Sequence, residues 1–267
     1  MVPPESPGAR SRSPRGAAPS SARRITPAEN RVALVTGASR GLGYTLAEFL
    51  ARQDWTLIVT ARGGRELRES AERLRAAGST VHAVAGDVTD PAHRRQIRHA
   101  ARKLGRLDLL VNNASDLGAS PLPPLSRYPL ATLRRVLEVN LVAPLALLQR
   151  LLPLLEESHG LVVNVTSDAA VGGYPGWGAY GASKAGLELA SKTLAAELRD
   201  TGVSVVAVDP GDLRTKMHQD AFPGEDISDR PLPDVTLPFW AWLLGQDPGA
   251  ATGGRFRAQG TLWEVPA

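Results

Sequence analysis

From Arg31 onward, short aliphatic or β-branched runs alternate with longer stretches of helical character. The runs occupy residues 32–36, 56–60, 81–85, 107–111, 161–166 and 203–208. Each has the length of a strand, and an unbroken rather than alternating run predicts a strand covered on both faces. Between the runs, residues 44–53, 64–77, 91–104, 130–155 and 180–199 predict helices. Such alternation predicts an α/β fold, a parallel sheet with helices on both faces. A last strand is expected near residues 255–258. No repeat of fixed period and no break marking a second domain interrupts the pattern, so residues 29–267 are expected to form one domain.

The first 28 residues differ. They are rich in Pro, Ser, Gly, Ala and Arg and poor in large apolar side chains, a composition that predicts a disordered tail. An organelle transit peptide competes with that reading, since the segment is Arg- and Ser-rich and acid-poor, but Pro3, Pro4, Pro7, Pro14 and Pro19 oppose an amphipathic helix. Arg10, Arg12, Arg15, Arg23 and Arg24 against Glu5 account for the whole formal charge of +4. The rest of the chain is neutral, which argues against nucleic-acid binding despite a pI near 9.7. The chain has 267 residues, 43% of them hydrophobic, enough for a sizeable core. The absence of cysteine excludes disulfides, thiol catalysis and Cys-ligated metals. It also fits a reducing compartment, so the cytoplasm is the expected location. No apolar run approaches the roughly 20 residues of a membrane span. The most apolar stretch, 141–155, is broken by Pro144, Gln149, Arg150 and Pro153, so no membrane association is expected.

Candidate chemistry begins where the first strand meets Thr36-Gly37-Ala38-Ser39-Arg40-Gly41-Leu42-Gly43. Glycines between strand and helix let backbone N–H groups approach a pyrophosphate, and the helix N-terminus adds partial positive charge. A plain structural turn is the competing reading. The second strand ends at Arg62, where a carboxylate would select NAD through the ribose 2′-hydroxyl. Arg62, with Arg40 in the glycine turn, instead suits a 2′-phosphate, so NADP(H) is expected over NAD(H); two solvated surface arginines are the alternative. Tyr180 and Lys184 lie four residues apart, on one face of a helix. A nearby ammonium lowers a phenol's pKa, so Tyr180 is expected to exchange a proton with a substrate oxygen. Ser167 follows the strand at 161–166, at the end where ligands of a parallel sheet collect, and is placed to bond the same oxygen; a capping serine would look the same. Asn112, Asn113 and Ala114 follow the strand at 107–111. Asn140 interrupts a helical stretch without a propensity reason.

Together these residues resemble the short-chain dehydrogenase/reductase family, over roughly residues 31–258. The resemblance rests on Thr36-Gly37-x-x-x-Gly41-x-Gly43, Asp87-Val88, Asn112-Asn113-Ala114, Asn140, Ser167, Tyr180-x-x-x-Lys184 and Pro210-Gly211-x-x-x-Thr215, in the family's order and spacing. It implies a doubly wound, Rossmann-type sheet of about seven strands and an NAD(P)-linked oxidation or reduction. It implies a catalytic tetrad in which Tyr180 is the proton donor to a carbonyl and Ser167 polarises that oxygen. Lys184 would hold the nicotinamide ribose and depress the Tyr180 pKa, and Asn140 would anchor a water in a proton relay. Asp87 and Val88 would meet the adenine, Asn113 and Ala114 the stretch between the two nucleosides, and Pro210, Gly211, Leu213 and Thr215 the nicotinamide carboxamide. No metal is called for. A homo-oligomer built through the long helices is the family's habit.

The family usually reads Asn-Asn-Ala-Gly, and Ser115 stands where that glycine would be. Because Ser tolerates fewer backbone conformations, the loop from 115 to 126 is expected to follow its own path. Residues 212–238, irregular and rich in Pro and acids, are expected to form a lid over a small-molecule carbonyl or alcohol. Trp177 either flanks the reacting carbon or packs, and His218 is expected to face solvent. The expected function is NADP(H)-dependent carbonyl reduction. Alcohol oxidation on the same residues and a non-catalytic cofactor-binding sensor are the alternatives.

Overall fold

The computed structural model describes residues 31–265; the N-terminal tail expected at 1–28 lies outside the described residues. The apolar runs become strands β1 (Val32–Thr36), β2 (Thr56–Ala61), β3 (Val81–Ala85), β4 (Leu109–Asn112), β5 (Leu161–Val165) and β6 (Ser204–Asp209), joined by β7 (Arg255–Arg257). They form one seven-stranded sheet in the order β3-β2-β1-β4-β5-β6-β7, every neighbouring pair parallel. The order reverses direction at β1, which places a crevice outside the carboxyl ends of β1 and β4. Strands β1, β4, β5 and β6 are buried along their whole length, as unbroken apolar runs require. Strand β3 departs from that expectation: only Val81 is buried, because the strand forms the sheet edge.

Helices α1 (Gly41–Ala51), α2 (Gly64–Ala76), α3 (Pro91–Leu104), α4 (Leu130–Leu137), α5 (Ala143–Ser158) and α6 (Gly178–Glu197) return the chain between strands. Helix α3 carries its own punctuation: Asp90 caps the Ala92 N–H at 2.7 Å, Pro91 opens the first turn, and Gly105 ends it in the left-handed region at φ 74°. One face of the sheet is covered through Leu46, Leu50, Leu67 and Leu74, the other through Ile97, Leu147, Leu151 and Leu155.

Helices α4 and α5 join through a π-helical turn, Glu138–Val142, into one helix of 29 residues. By length and composition this helix is apolar enough to cross a membrane, although the apolar run read from sequence fell short. Its inner face, Leu147, Leu148, Leu151 and Leu155, is nevertheless packed in the core. Neither proline breaks it. Pro144 falls in the first turn of α5, where an N–H is dispensable. Pro153 is exposed and so is Gln149, whose carbonyl loses its partner on the solvent side.

Sequence reasoning missed the helices that follow β6, α7 (Lys216–Ala221), α8 (Leu237–Leu244) and α9 (Pro248–Ala251). Helix α8 is apolar almost all round and buries Phe239, Trp240 and Leu243. Its aromatic rings pack on Phe256 of β7 and on Trp263.

Candidate active site

The carboxyl ends of the parallel strands open onto a cleft of about 740 Å³. Every site residue expected from sequence lines it except Asn140, which is fully buried one layer behind. At one end stands the glycine turn. Gly37 has φ 69°, and a Cβ there would meet Asn113 Nδ2 at 2.9 Å; at Gly43 a Cβ would stand 2.5 Å from the Gly37 carbonyl oxygen. These positions accept no side chain, so the turn presents bare backbone to the cleft. Arg40, at the N-cap of α1, makes no side-chain capping bond, and no acid occupies the first turn. The helix N-terminus therefore keeps its affinity for an anion, and Ser39, Arg40, Gly41 and Leu42 line the cleft beside it. A dinucleotide's pyrophosphate fits this cradle.

The turn is fastened from β4. Asn113 Nδ2 donates to the Thr36 carbonyl at 2.8 Å, and the N–H groups of Asn113 and Ala114 donate to Thr36 Oγ1 at 3.0 and 2.9 Å. Asn112 turns the other way, to Asn164 Oδ1 at 2.8 Å, inside the sheet. Arg62 extends into the cleft, 63% exposed, with its guanidinium 3.9 Å from Asp116. Arg135, absent from the sequence expectations, shares that carboxylate at 3.8 Å and also pairs with Asp87. Burial raises the Asp87 pKa, but bonds from Thr89 and Arg135 outweigh it and hold the carboxyl below its ordinary range.

Toward the centre, the π turn in the long helix places Asn140 against the loop after β4. Its carboxamide is fully engaged: Oδ1 accepts from Asp116 N–H at 2.7 Å and Ser115 Oγ at 3.2 Å. Its Nδ2 donates to the Asp116 carbonyl and to Ser183 Oγ, both at 2.9 Å. Ser115 thus uses its hydroxyl where the family has glycine. Among the described residues only Asp54 and His159 take positive φ without being glycine, so Ser115 needs no left-handed backbone.

Helix α6 carries Tyr180 and Lys184 one turn apart, with Nζ 5.5 Å from the phenol ring centroid. Lys184 Nζ donates to the Val165 carbonyl at 2.8 Å. The expected softening of the phenol is not met. Burial pushes the Tyr180 pKa up to about 12, the nearby Ser115 side chain lowers it in part, and the charges of Asp209 and Asp168 raise it. Burial likewise drives Lys184 down to about 7. Desolvation disfavours the charged form of each group and outweighs their proximity. Ser167, at the end of β5, donates to Asp168 Oδ1 at 3.0 Å and accepts from the Ala169 N–H at 3.2 Å. Its carbonyl accepts from Arg255 of β7.

The far wall is apolar. Leu117, Ala169 and Ala221 are buried with Tyr180, and Leu122, Trp177, Met217 and Phe222 pack against them. Trp177 meets Tyr180 edge-on at 5.7 Å and Phe222 at 6.2 Å. His218 does not face solvent as expected. Its side chain is only 10% exposed, its ring lies 5.0 Å from Phe222, and it lines the cleft, because α7 turns that face inward. Thr215, which caps α7 through the His218 N–H, also stands over Gly41, so the segment after β6 reaches back to the glycine turn.

The short chain dehydrogenase family model matches residues 31–226. An uncharacterized oxidoreductase of Escherichia coli (strain K12), YciK, is 34% identical over 235 residues, covering 86% of this chain and 92% of that protein. A 3-oxoacyl-(acyl-carrier-protein) reductase of Staphylococcus epidermidis is 32% identical over 211 residues, 78% of this chain and 84% of its own. Among solved structures, a short chain dehydrogenase of Shigella flexneri complexed with NADP superposes with a TM-score of 0.80 at 33% identity, covering 86% of this chain and 97% of that one. Sheet order, glycine cradle and sequence agree, and the chain belongs to the short-chain dehydrogenase/reductase family of nicotinamide-dependent oxidoreductases.

Proposed function

We propose that the protein is an NADP(H)-dependent carbonyl reductase with Tyr180 as the proton donor. The observation that carries this reading is that the Tyr180 phenol lines one cleft with Ser167, Lys184 and the glycine turn. A phenol is protonated at neutral pH, and burial keeps this one so, the form a donor to a developing alkoxide requires. The cofactor supplies the hydride, and the protein supplies orientation and electrostatics. Gly37, Ser39, Gly41, Leu42 and Gly43 would take the pyrophosphate, Asp87 and Val88 the adenine, and Asn113 and Ala114 the stretch between the two nucleosides. Lys184 would bond the nicotinamide ribose, with Pro210, Gly211, Leu213 and Thr215 along the carboxamide. Arg40 and Arg62 favour a 2′-phosphate over a 2′-hydroxyl, a preference in keeping with the NADP-bound Shigella relative. Ser167 would steady the substrate oxygen, and Asn140 would hold the loop carrying Ser115 and Asp116 in register with α6. Residues 212–238 would act as the lid. The wall of Leu117, Trp177, Met217 and Phe222 suits a carbonyl compound with an apolar or aromatic body.

The test is NADPH consumption with a panel of aldehydes, ketones and quinones, repeated with Tyr180→Phe. Loss of the phenolic proton is expected to reduce turnover by at least roughly a hundredfold while NADPH still binds. Turnover surviving in Tyr180→Phe refutes the donor role, and silence of the wild type across the panel refutes the reductase reading.

A further inference from the structure

Seven acidic residues line the cleft, and six have a cationic partner. Glu66 pairs with Arg65, Asp87 with Arg135, and Asp116 with Arg62 and Arg135; Asp209 pairs with Arg255, Asp212 with Arg230, and Asp220 with Lys216. Asp168 is the exception: among the described residues no lysine, arginine or histidine lies within 4.0 Å of its carboxylate. It is half-buried and follows Ser167 directly. A hydroxyl holds it instead. Ser167 Oγ donates to Oδ1 at 3.0 Å, and the Asp168 carboxylate raises the pKa of the Tyr174 phenol. A carboxylate accepts about four hydrogen bonds, so the Ser167 hydroxyl leaves Asp168, which lines the cleft, with acceptor capacity to spare.

We infer that Asp168 sets substrate choice: it favours a carbonyl compound bearing a hydroxyl or ammonium donor on the carbon next to the carbonyl, and it rejects 2-oxo acids. The inference rests on the reductase reading above. Ser167 Oγ has a single proton, given to Asp168 Oδ1 here; when it turns to donate to the reacting oxygen, it leaves that carboxylate oxygen open beside the substrate. A donor on the adjacent carbon then falls within reach of the carboxylate. A carboxylate in the same place faces an uncompensated like charge.

Three matched ligands test this: 2-hexanone, 1-hydroxy-2-hexanone and 2-oxohexanoate. Each is titrated by calorimetry into the full chain saturated with NADP⁺, where no carbonyl can be reduced and nucleotide fluorescence checks that the hydroxyketone is not oxidised, and kcat/KM is then measured with NADPH. The hydroxyketone is expected to bind roughly tenfold more tightly than 2-hexanone, and the oxo acid at least roughly tenfold more weakly, as expected for a hydrogen bond to a charged group and for its like-charge counterpart. Asp168→Ala should collapse both differences to within about threefold. The isosteric Asp168→Asn, which protects the test should the alanine variant misfold, should keep most of the donor preference and lose the rejection of the acid. The change should appear as a spread of affinities between ligands, not as a uniform fall in kcat, which merely misplacing Ser167 would produce. Equal affinities in the wild type, a wild-type order that survives Asp168→Ala, or no binding by any of the three overturns the inference. NADPH consumption with the broader panel while these three ligands bind alike would overturn it and leave the reductase reading standing.

Discussion

Arg255, on the last strand, donates from Nη2 to the backbone carbonyl oxygen of Ser167 at 3.2 Å. The same guanidinium meets Glu188 of α6 at 2.9 Å and Asp209 of β6 at 3.3 Å, and Glu188 accepts from Thr166 Oγ1 at 2.8 Å. One side chain thus ties β5, α6, β6 and β7 together behind the cleft. Glu188 and Asp209 are nearly buried, so removing Arg255 leaves Glu188 without a cation and Asp209 with only the more distant Arg257, at 4.0 Å. Arg255→Ala is expected to cost about 3 kcal/mol, read as a lower urea midpoint with unchanged slope. An unchanged midpoint would mean that the network contributes nothing to stability.

The glycine turn makes a sharper steric prediction. In Gly43→Ala the new Cβ would stand 2.4 Å from Asn113 Nδ2 and 2.5 Å from the Gly37 carbonyl oxygen, so the turn must move. We expect a stability loss of about 1–3 kcal/mol from overpacking and a marked weakening of NADPH binding, followed by nucleotide fluorescence. Wild-type affinity in this variant would show that the turn does not cradle the pyrophosphate.

Lys184 predicts a pH dependence of stability in the cofactor-free protein. Its folded pKa of about 7 lies below the ordinary 10.5, because burial disfavours the ammonium. Between those values the unfolded chain binds more protons than the folded one, so this group makes stability rise with pH from about 7 toward 10. Lys184→Met removes the titration. Its denaturation midpoints at pH 7 and pH 9 should differ less than those of the wild type; an identical rise in both would place the source elsewhere.

Arg62 is highly exposed and only loosely engaged by Asp116, free to meet a 2′-phosphate. Arg62→Asp is expected to lower kcat/KM for NADPH by about tenfold to a hundredfold, the range of a charge-assisted hydrogen bond, with little loss for NADH. Equal losses for the two cofactors would break the proposed pairing.

The strand runs and the five long helices were legible because their signal is local. Burial on two faces leaves an unbroken apolar run, and burial on one leaves a helical stripe. The edge position of β3 was not, since a strand's place in the sheet depends on its neighbours. Helix α8 escaped because it is apolar on nearly every side and shows no stripe. The acids and prolines around 212–238 suggested a solvent-facing loop, and the inward turn of His218 depends on the packing of α7 against Trp177 and Phe222.

The glycine turn, the Tyr180 and Lys184 pair, Ser167, Arg40 and Arg62 were all in the sequence, because residue type and spacing along single elements specify them. Tertiary structure alone decided their electrostatics. Tyr180 and Lys184 share a helix face as their spacing requires, yet the surroundings dry both groups, raising the Tyr180 pKa against expectation and lowering that of Lys184. Likewise, only the assembled cleft shows that Arg135 answers Asp87, that Arg255 answers Asp209, and that Asp168 is answered by the Ser167 hydroxyl rather than by a cation. Desolvation and ion pairing act through space between segments distant in the chain, and no local pattern encodes them.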